Sequence, residues 1–257
     1  MTAISSQRLI DLARIAAIIA CVGLLYSPSV GTIGLVLAYV AFLVSGQAVH
    51  RFKQVLDRPS SYWGIVFLGV VLVGVFYASV AWSDRWIDLF KWRTIFWLFL
   101  TLAIFDEARW RDRLLATFLI GTVVGVAGSF AAATGLVTLW RGPADLLRNY
   151  GTQGMAFACA ALICAWTILE KKNLGIVSWV WLMLGVFFVT NIVFITDSRS
   201  GYVVLGLGLS ILLSWKASWK HRVLILVGLF LAAGLAFAVS PKVQGKMSKA
   251  ITEWTHV

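Results

Sequence analysis

Long apolar runs separated by short polar clusters divide the chain from one end to the other. A membrane-crossing helix needs about 20 mostly apolar residues. Nine segments meet or approach that length: 9–27, 29–47, 62–82, 89–105, 114–136, 153–169, 176–195, 201–215 and 223–240. The pattern predicts an all-α, polytopic integral membrane helical bundle with about nine transmembrane helices. The connections are short, so consecutive helices should be antiparallel neighbours, the first two joined through the tight turn SPSVG. Residues 1–240 form the expected transmembrane domain, and 241–257 the start of a segment outside the membrane that is cut short.

Composition agrees with the pattern. Hydrophobic residues make up 60% of the 257 and charged residues 13%, about half the share of a soluble domain. The mean hydropathy is +0.89. The first apolar run leads into YSPSVG rather than a small-x-small cleavage site, so it reads as a signal-anchor span. Cys21, Cys159 and Cys164 all lie inside apolar runs and read as small packing residues, with no disulfide or metal framework.

The net charge of +11 would raise nucleic acid as a partner in a soluble chain. Here the basic residues lie in loops between apolar runs. They read as contacts to membrane lipids and as topology signals, with no nucleic acid partner. With the N-terminus cytoplasmic, HRFKQVLDR, DEARWRDR, EKKN and WKASWKHR fall on one side. That side, with Arg8 and Arg14, carries thirteen basic residues, against nine on the other. The bias favours this orientation, yet nine cations outside exceed what topology requires.

Several polar and small residues have structural readings. Asp11 and Arg14 stand at i, i+3 and can pair. Gly121 and Gly125 form a GxxxG, continued by Ser129 and Ala133, which lets another helix approach closely. Asn191 reads as a hydrogen bond to a neighbouring helix. Tryptophans such as Trp82, Trp86, Trp92 and Trp140 gather towards span ends, as an interfacial belt.

The chemically loaded stretch is TDSRSG, residues 196–201, between two apolar runs. Arginine at the centre of a membrane helix costs about 2.5–3.5 kcal/mol on an insertion scale. Arg199 therefore sits at a water interface or holds an anion. Asp197 or Ser198 can cap the following helix, and Gly201 lets backbone or ligand come close. A helix N-terminus favours anions, and a guanidinium fork suits phosphate. A capped helix whose arginine reaches lipid headgroups is the competing reading. Two more loops on the same side carry cations: WRGPADLLRNYGTQG, with Arg141, Arg148 and Gln153, and DRWIDLFKWR, with Lys91 and Arg93. Together they can line one anionic pocket; separately each is an interfacial anchor. HExxH, GxSxG, a Walker loop and paired carboxylates within a span are all missing from the sequence. The three histidines offer no clear general base.

FITDSRSGYVVLGLGLSILL resembles the hallmark of the O-antigen ligase and O-antigen polymerase superfamily, and RNYGTQGMAFACAALICAW is similar to the segment entering its sixth span. The resemblance implies a GT-C-like fold in the bacterial inner membrane and a metal-independent glycosyltransferase without cofactors. Its donor would be an undecaprenyl-pyrophosphate-linked glycan and its acceptor the lipid A core, at the periplasmic face. Arg199, Ser198, Ser200 and Arg148 would then contact the pyrophosphate, with Arg141 and Arg93 as further cations. In the family a large periplasmic loop carries the histidine thought to activate the acceptor. This chain ends at KMSKAITEWTHV, where such a loop would begin, so it is expected to be an N-terminal portion. A polysaccharide polymerase of the same superfamily, a transporter of lipid-linked sugar and a headgroup-binding scaffold are the alternatives.

Overall fold

The computed structural model describes residues 3–78, 81–137, 146–147, 149–170, 175–196 and 198–215, with scattered positions between 227 and 238. Every regular element among them is an α-helix: α1 (Ala3–Tyr26), α2 (Pro28–Val44), α3 (Ala48–Leu56), α4 (Pro59–Tyr77), α5 (Trp82–Lys91), α6 (Arg93–Ile104), α7 (Ala108–Ala133), α8 (Tyr150–Glu170), α9 (Ile176–Phe194) and α10 (Arg199–Ser214). Four of these, α1, α7, α8 and α9, are long and apolar enough to cross a membrane, and α2 reaches that length only if the sharply bent α3 is counted with it. Ser61–Tyr77 and α10 are shorter apolar helices. The fold is that of a helical membrane protein.

Two stretches depart from the sequence expectation. HRFKQVLDR, expected as a loop, carries most of α3, a separate amphipathic helix bent 104° from α2. The turn between them uses Gly46 at φ +75°, a conformation that costs glycine nothing. The span expected over 89–105 is broken at Trp92 into the charged, amphipathic α5 and the apolar α6. The ninth expected span, 223–240, lies outside the described residues except for single positions.

The chain divides into two compact units, Met1–Gly23 with Ser29–Thr117 and Leu24–Pro28 with Phe118–Val257. In the first, Ala13, Ala17, Ala38, Phe42, Phe99 and Ala103 form the apolar core. Their small members let α1, α2 and α6 approach closely. The Tyr39 ring stacks on Trp97 at 4.7 Å. Helix α4 runs antiparallel to the α5–α6 arm: Gly64 lies against Phe99, Phe67 meets Trp92 at 4.9 Å, and Arg85 donates to the Val75 carbonyl at 3.1 Å.

An ionic cluster closes one end of this unit. Arg14 has no exposed side-chain surface. It donates to Asp11 (3.0 Å), Asp106 (2.7 Å), Glu107 (2.7 Å) and the Ile104 carbonyl (3.1 Å). Arg51 of α3 pairs with Asp106 at 2.6 Å. The expected Asp11–Arg14 pair is therefore present, as one edge of a larger network.

In the second unit α7, α8, α9 and α10 enclose a core of Val126, Phe157, Cys164, Phe188, Ile192 and Leu205. Along α7, Gly125 of the small-residue stripe faces the Leu147 and Phe157 side chains, and its off-stripe neighbour Gly128 faces Leu146; these glycines make room for side chains rather than for another helix backbone.

Candidate anion site at two helix starts

TDSRSG folds as a tight turn into α10. Ser198 is fully buried and accepts a hydrogen bond from the Gly201 amide at 3.1 Å, which makes it the helix cap. Of the two residues expected as possible caps, Ser198 does the work; Asp197 lies outside the described residues. Helix α8 begins in the same way, with the Asn149 side chain accepting from the Thr152 amide at 2.7 Å.

These two capped starts lie side by side. Gly154 and Gly201 touch through backbone, since a Cβ on Gly201 would meet Gly154 backbone atoms at 3.0 Å. A side chain on Gly154 would collide with Ser198. Gly201 thus serves close backbone approach, one of its two expected roles. Further along, Gly208 faces Leu162, so α8 and α10 run parallel with their N-termini at one end. Each N-terminus carries orphan amides and roughly half a positive charge.

Beneath the two starts lies a buried polar layer. Gln153, Ser129, Asn191 and Thr196 are essentially without exposure. The Gln153 Oε1 accepts from the Leu146 and Leu147 amides, each at 3.1 Å. Its Nε2 donates to Ser129 Oγ (3.2 Å) and Thr196 Oγ1 (3.1 Å). Asn191 donates to Ser129 Oγ at 3.1 Å, the interhelical bond expected of it, and accepts from Thr196 Oγ1 at 2.6 Å. Low local dielectric makes each unmade bond costly, so a saturated network locks the geometry above it. It pins the backbone at Leu147, immediately before Arg148, and at Thr196, three residues before Arg199.

Of the residues expected to hold an anion, Arg199 is exposed at the first turn of α10. Ser198 and Ser200 hydroxyls lie 3.0 Å apart, with Ser200 half-buried. Arg148 and Arg141 lie outside the described residues, although the chain on both sides of Arg148, at Leu147 and Asn149, is anchored. Arg93 opens α6 in the other unit, and only its backbone is described. Gln153 stands in the segment expected to hold an anion, with no role of its own evident from the sequence. Its signal was a glutamine one turn into an apolar helix, with Ser129 and Asn191 as buried-facing polar residues on two other helices.

Among the described residues no group of three or more His, Cys, Asp or Glu side chains is placed to hold a metal ion. What the arrangement can do is bind a multivalent oxyanion: two helix N-termini, the Ser200 hydroxyl and the Arg199 side chain lie at one end. No protein-family model, no curated protein and no solved structure matches this chain.

Proposed function

We propose that the chain is an O-antigen ligase-type glycosyltransferase of GT-C-like architecture. Its nine spans would start from a cytoplasmic N-terminus in the bacterial inner membrane. It binds an undecaprenyl-pyrophosphate-linked glycan at the periplasmic face and passes the glycan to the lipid A core. The observation that carries this reading is the convergence of two capped, parallel helix starts at the SRSG element, above a saturated polar layer.

The chemistry follows from that geometry. The acceptor oxygen forms a bond to the anomeric carbon as the bond from that carbon to the pyrophosphate oxygen breaks. The electron pair leaves with the pyrophosphate, whose charge rises. Preorganised cations and amides aimed at that charge stabilise it more than the ground state. Arg199 supplies the guanidinium and the first turn of α10 the amides, with Ser200 as an additional donor. Arg148 brings a second cation from the start of α8. The acceptor proton passes to a general base, a role assigned to none of the described residues. The same donor site serves a polymerase, which differs in its acceptor.

Binding of undecaprenyl pyrophosphate to the purified protein tests the reading. Charge-assisted hydrogen bonds contribute about 1.5–3 kcal/mol, so Arg199→Ala should weaken binding roughly ten- to a hundredfold in a protein that still folds. Arg199→Lys should fall between, keeping charge without the fork. Equal affinity in all three proteins would remove the pyrophosphate from this site.

A further inference from the structure

At the elbow between α2 and α3 the first unit holds a cavity of about 400 Å³, within the roughly 300–1,000 Å³ range of small-molecule sites. Its walls are Phe42 and Leu43 of α2, Phe52 and Leu56 of α3, and Leu100 of α6; its one charged lining residue is Lys53. Helix α3 is built for a membrane surface. Ala48, Val49, Phe52, Val55 and Leu56 recur at helical spacing, against His50, Arg51, Lys53 and Gln54 on the other positions. With α2 crossing the membrane, a 104° bend lays α3 along its plane.

The elbow is held in place. Ser45 Oγ donates to the Phe42 carbonyl at 2.6 Å, and Ser6 Oγ to the Ser45 carbonyl at 2.7 Å. Gln47 reaches back to Ser6 at 3.0 Å and accepts from Arg51 Nε at 3.0 Å. Ser61 Oγ binds the Val55 carbonyl at 2.6 Å on the far side. The groove is thus a fixed feature, and its mouth is apolar, with Leu43 and Val49 exposed.

We propose that this groove is a binding site for one acyl chain of an anionic phospholipid, whose phosphate pairs with the Lys53 ammonium at the rim. An apolar slot at membrane depth takes a hydrocarbon chain. A cation at its lip, on a helix that also carries His50 and Arg51, selects a negative headgroup. The site is independent of the glycan-transfer reading.

Photolabelling tests it. The full chain is reconstituted in nanodiscs with tracer phosphatidylglycerol or phosphatidylcholine carrying a diazirine near the chain end, and labelled peptides are mapped. Phosphatidylglycerol should label residues 42–56 roughly fivefold more than phosphatidylcholine, the factor corresponding to about 1 kcal/mol per basic residue near an anionic surface. Lys53→Gln, a surface change that leaves the fold intact, should equalise the two lipids. Ala48→Trp should fill the groove and abolish labelling there. Equal labelling by both lipids in the native protein overturns the proposal, and so does a preference that survives Lys53→Gln. Labelling of 42–56 no stronger than on the exposed face of α9 overturns it too, as expected if another protein chain fills the groove.

Discussion

Arg14 carries a full charge with no exposed side-chain surface, and three carboxylates, a carbonyl and the Trp110 ring at 5.4 Å surround it. Removing one partner of such a group leaves uncompensated charge, at about 3–5 kcal/mol. Arg14→Ala should therefore lower the unfolding midpoint sharply in detergent, whereas Glu107→Gln, at a half-exposed partner, should cost much less. Asp106 adds a pH dependence. Burial alone would push its carboxyl up, but the hydrogen bond from Arg14 and the charge of Arg51 outweigh that and hold it below the ordinary value. A depressed folded pKa contributes stability above the unfolded value, near about pH 4, and loses it as pH falls through the folded one. Acidification from about pH 4 downward should thus weaken the first unit, and Asp106→Asn should flatten that slope in a series of thermal melts. The Asp11–Arg14 edge of this cluster was legible because helical spacing puts i and i+3 together. Asp106 and Glu107 stand more than ninety residues away, and one sequence holds no signal for that pairing.

Helix starts organise the second unit as ion pairs do the first. At the contact between α8 and α10, Gly154 and Gly201 leave no room for a side chain. Overpacking of this kind costs about 1–3 kcal/mol, and here it also separates the two N-termini. Gly201→Ala should therefore lower both stability and affinity for undecaprenyl pyrophosphate. Gly206→Ala, on the same helix with open space around it, should leave binding alone and stabilise by up to about 1 kcal/mol. The SRSG turn was readable because serine and glycine have positional meaning at a helix start. The polar layer beneath it was not, since Gln153, Ser129 and Thr196 acquire their role only when three segments meet. Helix α3 escaped for a different reason. Its four polar and charged side chains in nine residues read as a loop, and its apolar positions 48, 52 and 56 stand out only on a helical period.

Across the chain, the path through the first unit decides which loops share a side. Arg51 and Asp106 form an ion pair, so the segment between them begins and ends on one side, and on the expected topology it leaves that side and returns. Helix α4, at 19 residues, would be the outward limb, and the antiparallel α5–α6 arm would bring the chain back. Helix α6 alone has 12 residues, about 18 Å at 1.5 Å per residue, well short of the roughly 30 Å hydrocarbon core. The return would therefore be shared with α5, whose Arg85 meets the end of α4 at Val75. Helix α7 is long and apolar enough to cross once more, and the expected nine-span order assigns the loop before residue 150 and the loop holding residue 54 to opposite sides. Single cysteines at Gln54 and Tyr150, both exposed, in a chain with Cys21, Cys159 and Cys164 replaced, make this measurable. A membrane-impermeant maleimide should label position 150 but not position 54 in right-side-out vesicles, and the reverse in inverted ones. If both positions react from the same side, the α5–α6 arm is no crossing, and the thirteen-to-nine charge count behind the cytoplasmic N-terminus has to be redrawn.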